Sequence, residues 1–437
     1  MRNMRTSTIA GISTPIGNAG VGIIRISGPQ AVSIVSRCFD EPLVPRVATL
    51  GIISTHEFSD TVLVIHFPAP RSFTGEDVVE IQAHGGSFLL QKILDHVLVL
   101  GAELATPGEF SKRAFLNGKL SLDMAEAIIE TITAESEAHL RSTSAVHGGR
   151  LREMLASFER ALVAVAAQIE ATLDYPEHDI EHATRAAIRP HVESTVAQIT
   201  DLIGTAHQGR LFANGVQVAV LGRPNVGKSS LFNAILGRDR SIVTNIEGTT
   251  TDTISESIPY RGLRLVFNDT AGIRTATGEI EKIGITRTKK TISESDVVLV
   301  IFDGPSDDEI LAMANGKPTI IALNKCDIIS HENRNGIIVS AKTGENIEKL
   351  KESIYQMAIG GQTLTAEMAI TNTRHLAELS HAHACLASAL IALDDELSLD
   401  LVAGDITDAL AHIGNITGTH TSDAVIDEIF SRFCLGK

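Results

Sequence analysis

The most constraining stretch of this chain is eight residues long. Gly222-Arg-Pro-Asn-Val-Gly227-Lys228-Ser229 follows the β-branched run VQVAVLG (216–222) and precedes the helical stretch SLFNAILG. A strand, a glycine-bearing turn and a helix in that order make a loop whose backbone N–H groups turn inward toward phosphate oxygens. The helix N-terminus adds its partial positive charge to the same point. Lys228 is then set to reach the β- and γ-phosphates, and Ser229 to ligate magnesium. The loop also commits its surroundings to an α/β unit. LRLVFND (263–269), DVVLVIFDG (296–304), PTIIALNK (318–325) and GIIVSAK (336–342) are further strand candidates, separated by helical stretches, which predicts a mainly parallel sheet.

Three further motifs follow in order. Asp269-Thr270-Ala271-Gly272 ends one predicted strand; Asp269 is expected to hold magnesium through water, and the Gly272 amide to sense the γ-phosphate. Asn324-Lys325-Cys326-Asp327 ends another. A carboxylate there can accept from both N1–H and the 2-amino group of guanine, a donor pair that adenine lacks, so Asp327 selects GTP over ATP. Ser340-Ala341-Lys342 would support the guanine oxygen through its backbone. Asp327 alone could be a helix N-cap; with all four motifs in order the guanine reading is the stronger. Gly248-Thr249-Thr250, between the first two motifs, offers a threonine to the magnesium shell. Ile273 stands where many small GTPases carry a glutamine that orients the attacking water. Isoleucine can neither donate nor accept, so either hydrolysis is poor or another polar group does this work. Glu281 is a candidate, with a solvated helix residue as the alternative.

Charge divides the chain. The net charge of −16 is distributed as 0 over 1–119, −7 over 120–212, −1 over 213–360 and −8 over 361–437. The second and fourth segments also share helical periodicity. Leu151, Leu155, Phe158, Leu162, Val165 and Ile169 recur at helical spacing and predict one apolar stripe. ASALIALDDEL and SDAVIDEIFSRF are further helical pieces. One helical domain interrupted by an inserted α/β domain is the economical reading; a helical domain with a separate tail is the alternative. The first 119 residues mix the strands TIAGIST, VGIIRIS, TVLVIHF and VVEIQAH with a helix at SFLLQKILDHVLVLG, an α+β pattern.

The acidic balance disfavours gripping nucleic acid by bulk charge. Cys38, Cys326, Cys385 and Cys434 fit neither a zinc spacing nor a disulfide framework, which predicts a reducing, cytoplasmic setting. No apolar run approaches the ~18–20 residues of a membrane span, and the first residues hold no apolar core of signal-peptide length.

TPIGNAGVGIIRISG (14–28), RSFTGEDVVEIQAHGG (71–86), PGEFSKRAFLNGKLSL (107–122), ATLDYPEHDI (171–180), TNTRH (371–375) and FCLGK (433–437), together with the GTPase motifs, resemble the MnmE (TrmE) family of bacterial tRNA-modifying GTPases over essentially the whole chain. The resemblance implies an N-terminal α+β folate-binding and dimerisation domain (1–119), a discontinuous helical domain (120–212 and 361–437) and an inserted Ras-like P-loop GTPase domain (213–360). It implies a homodimer. With the FAD-dependent partner MnmG, it implies addition of an aminomethyl or carboxymethylaminomethyl group at carbon 5 of the wobble uridine of certain tRNAs. The carbon would come from a tetrahydrofolate derivative, 5,10-methylene- or 5-formyl-tetrahydrofolate in the site.

Residue by residue, the resemblance implies folate contacts at Arg25, Glu80, Lys119 and Lys437. GTP contacts fall on Asn225, Val226, Gly227, Lys228, Ser229 and Ser230; on Thr244, Asn245, Ile246, Glu247, Gly248, Thr249 and Thr250; on Asp269, Thr270, Ala271 and Gly272; and on Asn324, Lys325, Asp327, Ser340, Ala341 and Lys342. Ser229 and Thr250 would hold magnesium. Asn225 and the carbonyls of Thr244, Ile246 and Thr249 would hold potassium, which in this family replaces an arginine finger and favours pairing of the GTPase domains. Glu281 matches the water-orienting glutamate and acts with Lys228 in catalysis. Thr251 departs from the family's usual arginine. Contact with tRNA would rest on local basic patches such as Lys112-Arg113. A ribosome-assembly or signalling GTPase, and a folate-binding scaffold with a vestigial GTPase, are the competing functions.

Overall fold

The structure is a computed structural model describing residues 7–55, 57–174, 178–237, 255–269, 288–314, 316–331, 334–361, 364, 369–433 and 436. The chain forms two compact units. One comprises Met1–Ile129, Gly149–Val196 and Glu378–Lys437, the other Glu130–Gly148 and Ala197–Ala377.

The first unit contains a six-stranded sheet built from β1 (Ile9–Ile12), β2 (Ala19–Ser27), β3 (Ala48–Ser54), β4 (Ser59–Phe67), β5 (Val78–Gly85) and β6 (Glu103–Leu104), in the order β3-β4-β5-β2-β1-β6. All neighbours are antiparallel except β1 and β6. Strand periodicity sets the faces: Ile24 and Ile26 are fully buried, while Arg25 between them points to the opposite side. The helix Ser87–Val99 lays Leu90, Ile93, Leu94 and Val97 into this core. The predicted strands in 1–119 all form, and β3 adds a hairpin with β4.

The helices of this unit follow the same logic. In Arg150–Asp174 the six predicted stripe residues are all at most 1 % exposed. Replacing one of them by alanine typically costs about 2–5 kcal/mol, because the surrounding side chains close the cavity only in part. Leu399–Thr417 packs on it and buries Val402, Ile406, Ala409 and Ile413. The helix Thr373–Asp394 is long and apolar enough to span a membrane by length and composition alone. Its buried residues, however, recur as Leu379, Ala382, Leu386, Ala389 and Leu393, a single stripe at helical spacing. A membrane span is apolar all round, whereas one buried stripe marks a helix packed against a protein core.

The second unit holds β7 (Val216–Leu221), β8 (Ser255–Tyr260), β9 (Leu263–Asp269), β10 (Val297–Phe302), β11 (Thr319–Leu323) and β12 (Ile337–Ile338), ordered β12-β11-β10-β7-β9-β8. Only the β8–β9 pair is antiparallel. Every residue of β10 is buried, as expected for a central strand covered on both faces. Its alternate residues enter two cores: Leu299 and Ile301 join one, Val298, Val300 and Phe302 the other. After β7 the chain forms β8 and then β9 on one side of it, and next crosses to β10 on the other. The strand order therefore reverses between β7 and β10, the place where open α/β sheets bind ligands.

Candidate functional site

The phosphate loop begins where β7 ends, at that reversal. Gly222 leaves the strand and Gly227 caps the helix Lys228–Leu236. Gly227 has φ +90°, and a Cβ there would stand 2.4 Å from Asn324 Nδ2, so both conformation and space demand glycine. Asn225 adopts left-handed φ 65°, a conformation asparagine tolerates better than most residues other than glycine. Asn225, Ser229 and Ser230 are exposed, Gly227 and Lys228 half-buried, and Val226 is buried against the core.

Lys228 Nζ donates to the loop carbonyls of Gly222 (2.6 Å) and Arg223 (2.8 Å). Partial burial pushes its pKa below the ordinary lysine value, opposed by the nearby carboxylate of Asp269. An anion entering the loop would exchange carbonyl partners for charged ones. Asp269 ends β9, and its Cα is paired with that of Val220 on β7. Asp269 thus closes the strand next to β7, while Ser229 sits in the first turn of the helix that follows β7. A hydroxyl and a carboxylate are hard oxygen donors that suit magnesium.

The third motif emerges after β11 and is tied back to the first. Asn324 is 1 % exposed. Its Nδ2 donates to Val226 O (2.9 Å), and its Oδ1 accepts from Ala341 N (3.1 Å). The carbonyl of Asn324 is bonded to His331 Nε2 at 2.8 Å. One side chain therefore joins the phosphate loop, the β11 loop and the loop after β12. Lys325, also left-handed at φ 66°, reaches back to Asn225 O (2.9 Å) and pairs with Asp303 after β10 (2.6 Å). Asp327 is exposed and accepts from Ser340 Oγ at 2.8 Å, which orients the carboxylate from the Ser340-Ala341-Lys342 motif. Lys342 is exposed beside it. Thr244, Asn245, Ile246, Glu247, Gly248, Thr249, Thr250, Thr251, Thr270, Ala271, Gly272, Ile273 and Glu281 lie outside the described residues.

In the first unit, Arg25 and Glu80 face one another across β2 and β5. Arg25 Nε and Nη2 both contact Glu80 Oε1, at 2.9 and 2.8 Å. The guanidinium lies over the rings of Phe73 and Phe110, 5.3 and 5.7 Å from their centroids. The C-terminal segment arrives beside them: Gly436 O accepts from Ser13 Oγ (3.0 Å) and Arg25 Nη1 (3.4 Å). Lys119 is exposed, its side chain passing close to Gly75. Lys437 and Cys434 lie outside the described residues.

The basic pair Lys112-Arg113 is not a free patch. Arg113 is 2 % exposed and bonds Glu109 (3.0 Å), Glu76 (3.3 Å) and Ser7, while Lys112 pairs with Asp427. Its spacing from Glu109, four residues along the helix Glu109–Leu116, was legible in the sequence; Glu76 and Ser7 are long-range partners and were not.

A phosphate loop at the sheet's reversal point, a carboxylate closing the neighbouring strand, and an Asn-Lys-x-Asp loop braced onto the phosphate loop define a P-loop GTPase. Family models match as GTP-binding protein TrmE N-terminus over residues 8–119 and as MnmE helical domain over residues 122–434. The tRNA modification GTPase MnmE of Acetivibrio thermocellus is 38 % identical over 99 % of this chain and 100 % of its own length. That of Geobacter sulfurreducens is 40 % identical over 98 % and 99 %. Among solved structures, the G domain of the T. maritima FeoB iron transporter is 29 % identical, with a TM-score of 0.26, covering 33 % of this chain and 98 % of that one. The chain belongs to the MnmE family of tRNA modification GTPases.

Proposed function

We propose that this GTPase works with the FAD-dependent protein MnmG to install an aminomethyl or carboxymethylaminomethyl group at carbon 5 of the wobble uridine of certain tRNAs. Tetrahydrofolate supplies the carbon. The observation that carries this reading is the Arg25–Glu80 pair, set on adjacent strands and joined by the carbonyl of Gly436. A pterin presents an N–H and 2-amino edge, as guanine does. Both contacts from Arg25 fall on Glu80 Oε1, so Oε2 is the oxygen to meet those donors, with Lys119 and Lys437 available to the folate carboxylates. Bound folate would supply the one-carbon unit; the residues bind and orient it.

In the same reading, residues 1–119 form the folate-binding and dimerisation domain, 213–360 the GTPase domain, and 120–212 with 361–437 the helical domain. Homodimerisation is supported by the outer face of the β3–β4 hairpin, where Leu50 is 64 % exposed beside Ile52 and its cross-strand partner Leu63. An edge strand with an exposed apolar face calls for a partner. On the nucleotide, Lys228 holds the β- and γ-phosphates, Ser229 and Thr250 hold magnesium, and Asp327 reads guanine. Asn225 with Thr244, Ile246 and Thr249 holds potassium, and Glu281 orients the attacking water. The setting is cytoplasmic. Nucleoside analysis of tRNA from cells lacking the protein tests this reading: the modified wobble uridine should disappear, and unchanged nucleosides would overturn it.

A further inference from the structure

Two helices of the first unit bring together three metal-ligating side chains that neither the nucleotide nor the folate reading uses. Glu378 and His381 sit one turn apart on Thr373–Asp394, and His412 comes from Leu399–Thr417. Their ligand atoms all lie within 4.8 Å of one another. His412 Nδ1 is 2.8 Å from Glu378 Oε2, and the rings of His381 and His412 are 4.9 Å apart at 46°.

We propose that Glu378, His381 and His412 form a site for a divalent first-row transition-metal ion of the zinc class. Two imidazoles and a carboxylate disfavour magnesium and calcium, which prefer oxygen throughout, and suit zinc or cobalt. Bonds of ~2.0–2.1 Å in a tetrahedron require donors about 3.3–3.4 Å apart. The His412–Glu378 contact opens slightly to reach that spacing, and the other two close by side-chain rotation. Leu379 and Ala382 on one helix and Ala409 and Ile413 on the other are buried, which fixes both helices by packing. Asn415 Nδ2 donates to Glu378 Oε2 at 3.2 Å and aims the carboxylate, the outer-shell support a metal ligand needs. His381 is exposed and Glu378 and His412 half-buried, so an ion can enter from solvent. Three protein ligands leave a fourth position for water, and the ion clips the two helices together.

The experiment is a titration of the full chain with Co2+, with magnesium and GDP present to fill the nucleotide site, followed by visible absorption. One Co2+ per chain should give the intense bands of tetrahedral coordination, displaced by one equivalent of Zn2+. The double variant His381→Ala/His412→Ala should lose the bands while retaining far-UV circular dichroism and GDP affinity. Glu378→Gln, which preserves volume, should weaken Zn2+ by more than the ~10–100-fold that an outer-shell partner carries. It decides the matter should the double variant misfold. Absence of the bands in the wild type, or their persistence at full strength in the variants, would overturn the site and leave the cluster as a hydrogen-bonded helix contact.

Discussion

Asn324→Ala should weaken GTP and GDP equally, and mainly through binding rather than stability. The wild-type side chain satisfies Val226 O and Ala341 N at 2.9 and 3.1 Å from a position 1 % exposed. Alanine leaves one acceptor and one donor without a partner. Each such group costs ~1–3 kcal/mol where water cannot reach it. In the free protein the phosphate loop and the loop after β12 can part slightly and hydrate both groups, so little of this cost appears as lost stability. In the proposed binding mode nucleotide bridges the phosphate loop and the Ser340-Ala341-Lys342 loop, and drawing them back together would reimpose it. Taking ~1 kcal/mol for each group gives about 2 kcal/mol, and at 1.4 kcal/mol per tenfold this is roughly 30-fold in Kd. The brace meets the phosphate loop at Val226 and not at Lys228, so GTP and GDP should suffer alike. Titration with fluorescent GTP and GDP analogues, alongside thermal unfolding without nucleotide, measures both terms. A change under threefold in both affinities, or a loss confined to GTP, would refute the reasoning.

Four other outcomes can be measured. Asp327→Asn should raise the affinity for xanthine nucleotides relative to GTP, since an amide can donate to the carbonyl at carbon 2; an unchanged ratio in competition would reject the assignment. Replacing potassium by sodium, or Asn225→Ala, should slow GTP turnover far more than it weakens binding, and Glu281→Ala should cost ~10²–10⁴-fold in rate; equal turnover in the two salts would remove the potassium site. Burial lowers the pKa of His139 below its ordinary 6.5, and its Nε2 has no hydrogen-bond partner among the described residues. A folded pKa below the unfolded one means the unfolded chain binds the proton more readily. The stability is therefore full above pH 6.5 and lost as pH falls through and below it. Relative to His139→Gln, the wild type should lose thermal stability between pH 7.5 and about 5.5, and parallel curves would contradict this.

The cysteines separate along related lines. Burial pushes the Cys38 thiol up to about 11, and Cys326 and Cys385 are raised as well, first by burial and then by neighbouring carboxylates. None of the three is a poised nucleophile.

Local chemistry was legible in the chain and distant partnership was not. The phosphate loop could be read because its conformation is dictated within eight residues: a strand to end, glycines to turn, a lysine and serine to open the helix. The stripe of Leu151 to Ile169 could be read because helical periodicity needs no knowledge of what covers it. Arg113 looked like a surface charge until Glu76, 37 residues away, and Ser7, 106 away, enclosed it. Asn324 read as one letter of a guanine motif, and only the sheet shows it bracing a loop 98 residues earlier. The pair Glu378 and His381 follows from helix spacing, yet His412 joins them only through the packing of a second helix. Gly436 meets Ser13 across 423 residues. Sequence determines what each short segment prefers, because propensity and periodicity act over a few residues. Which distant side chains share a site is decided by burial of the common core, a property of the whole chain that no segment carries alone.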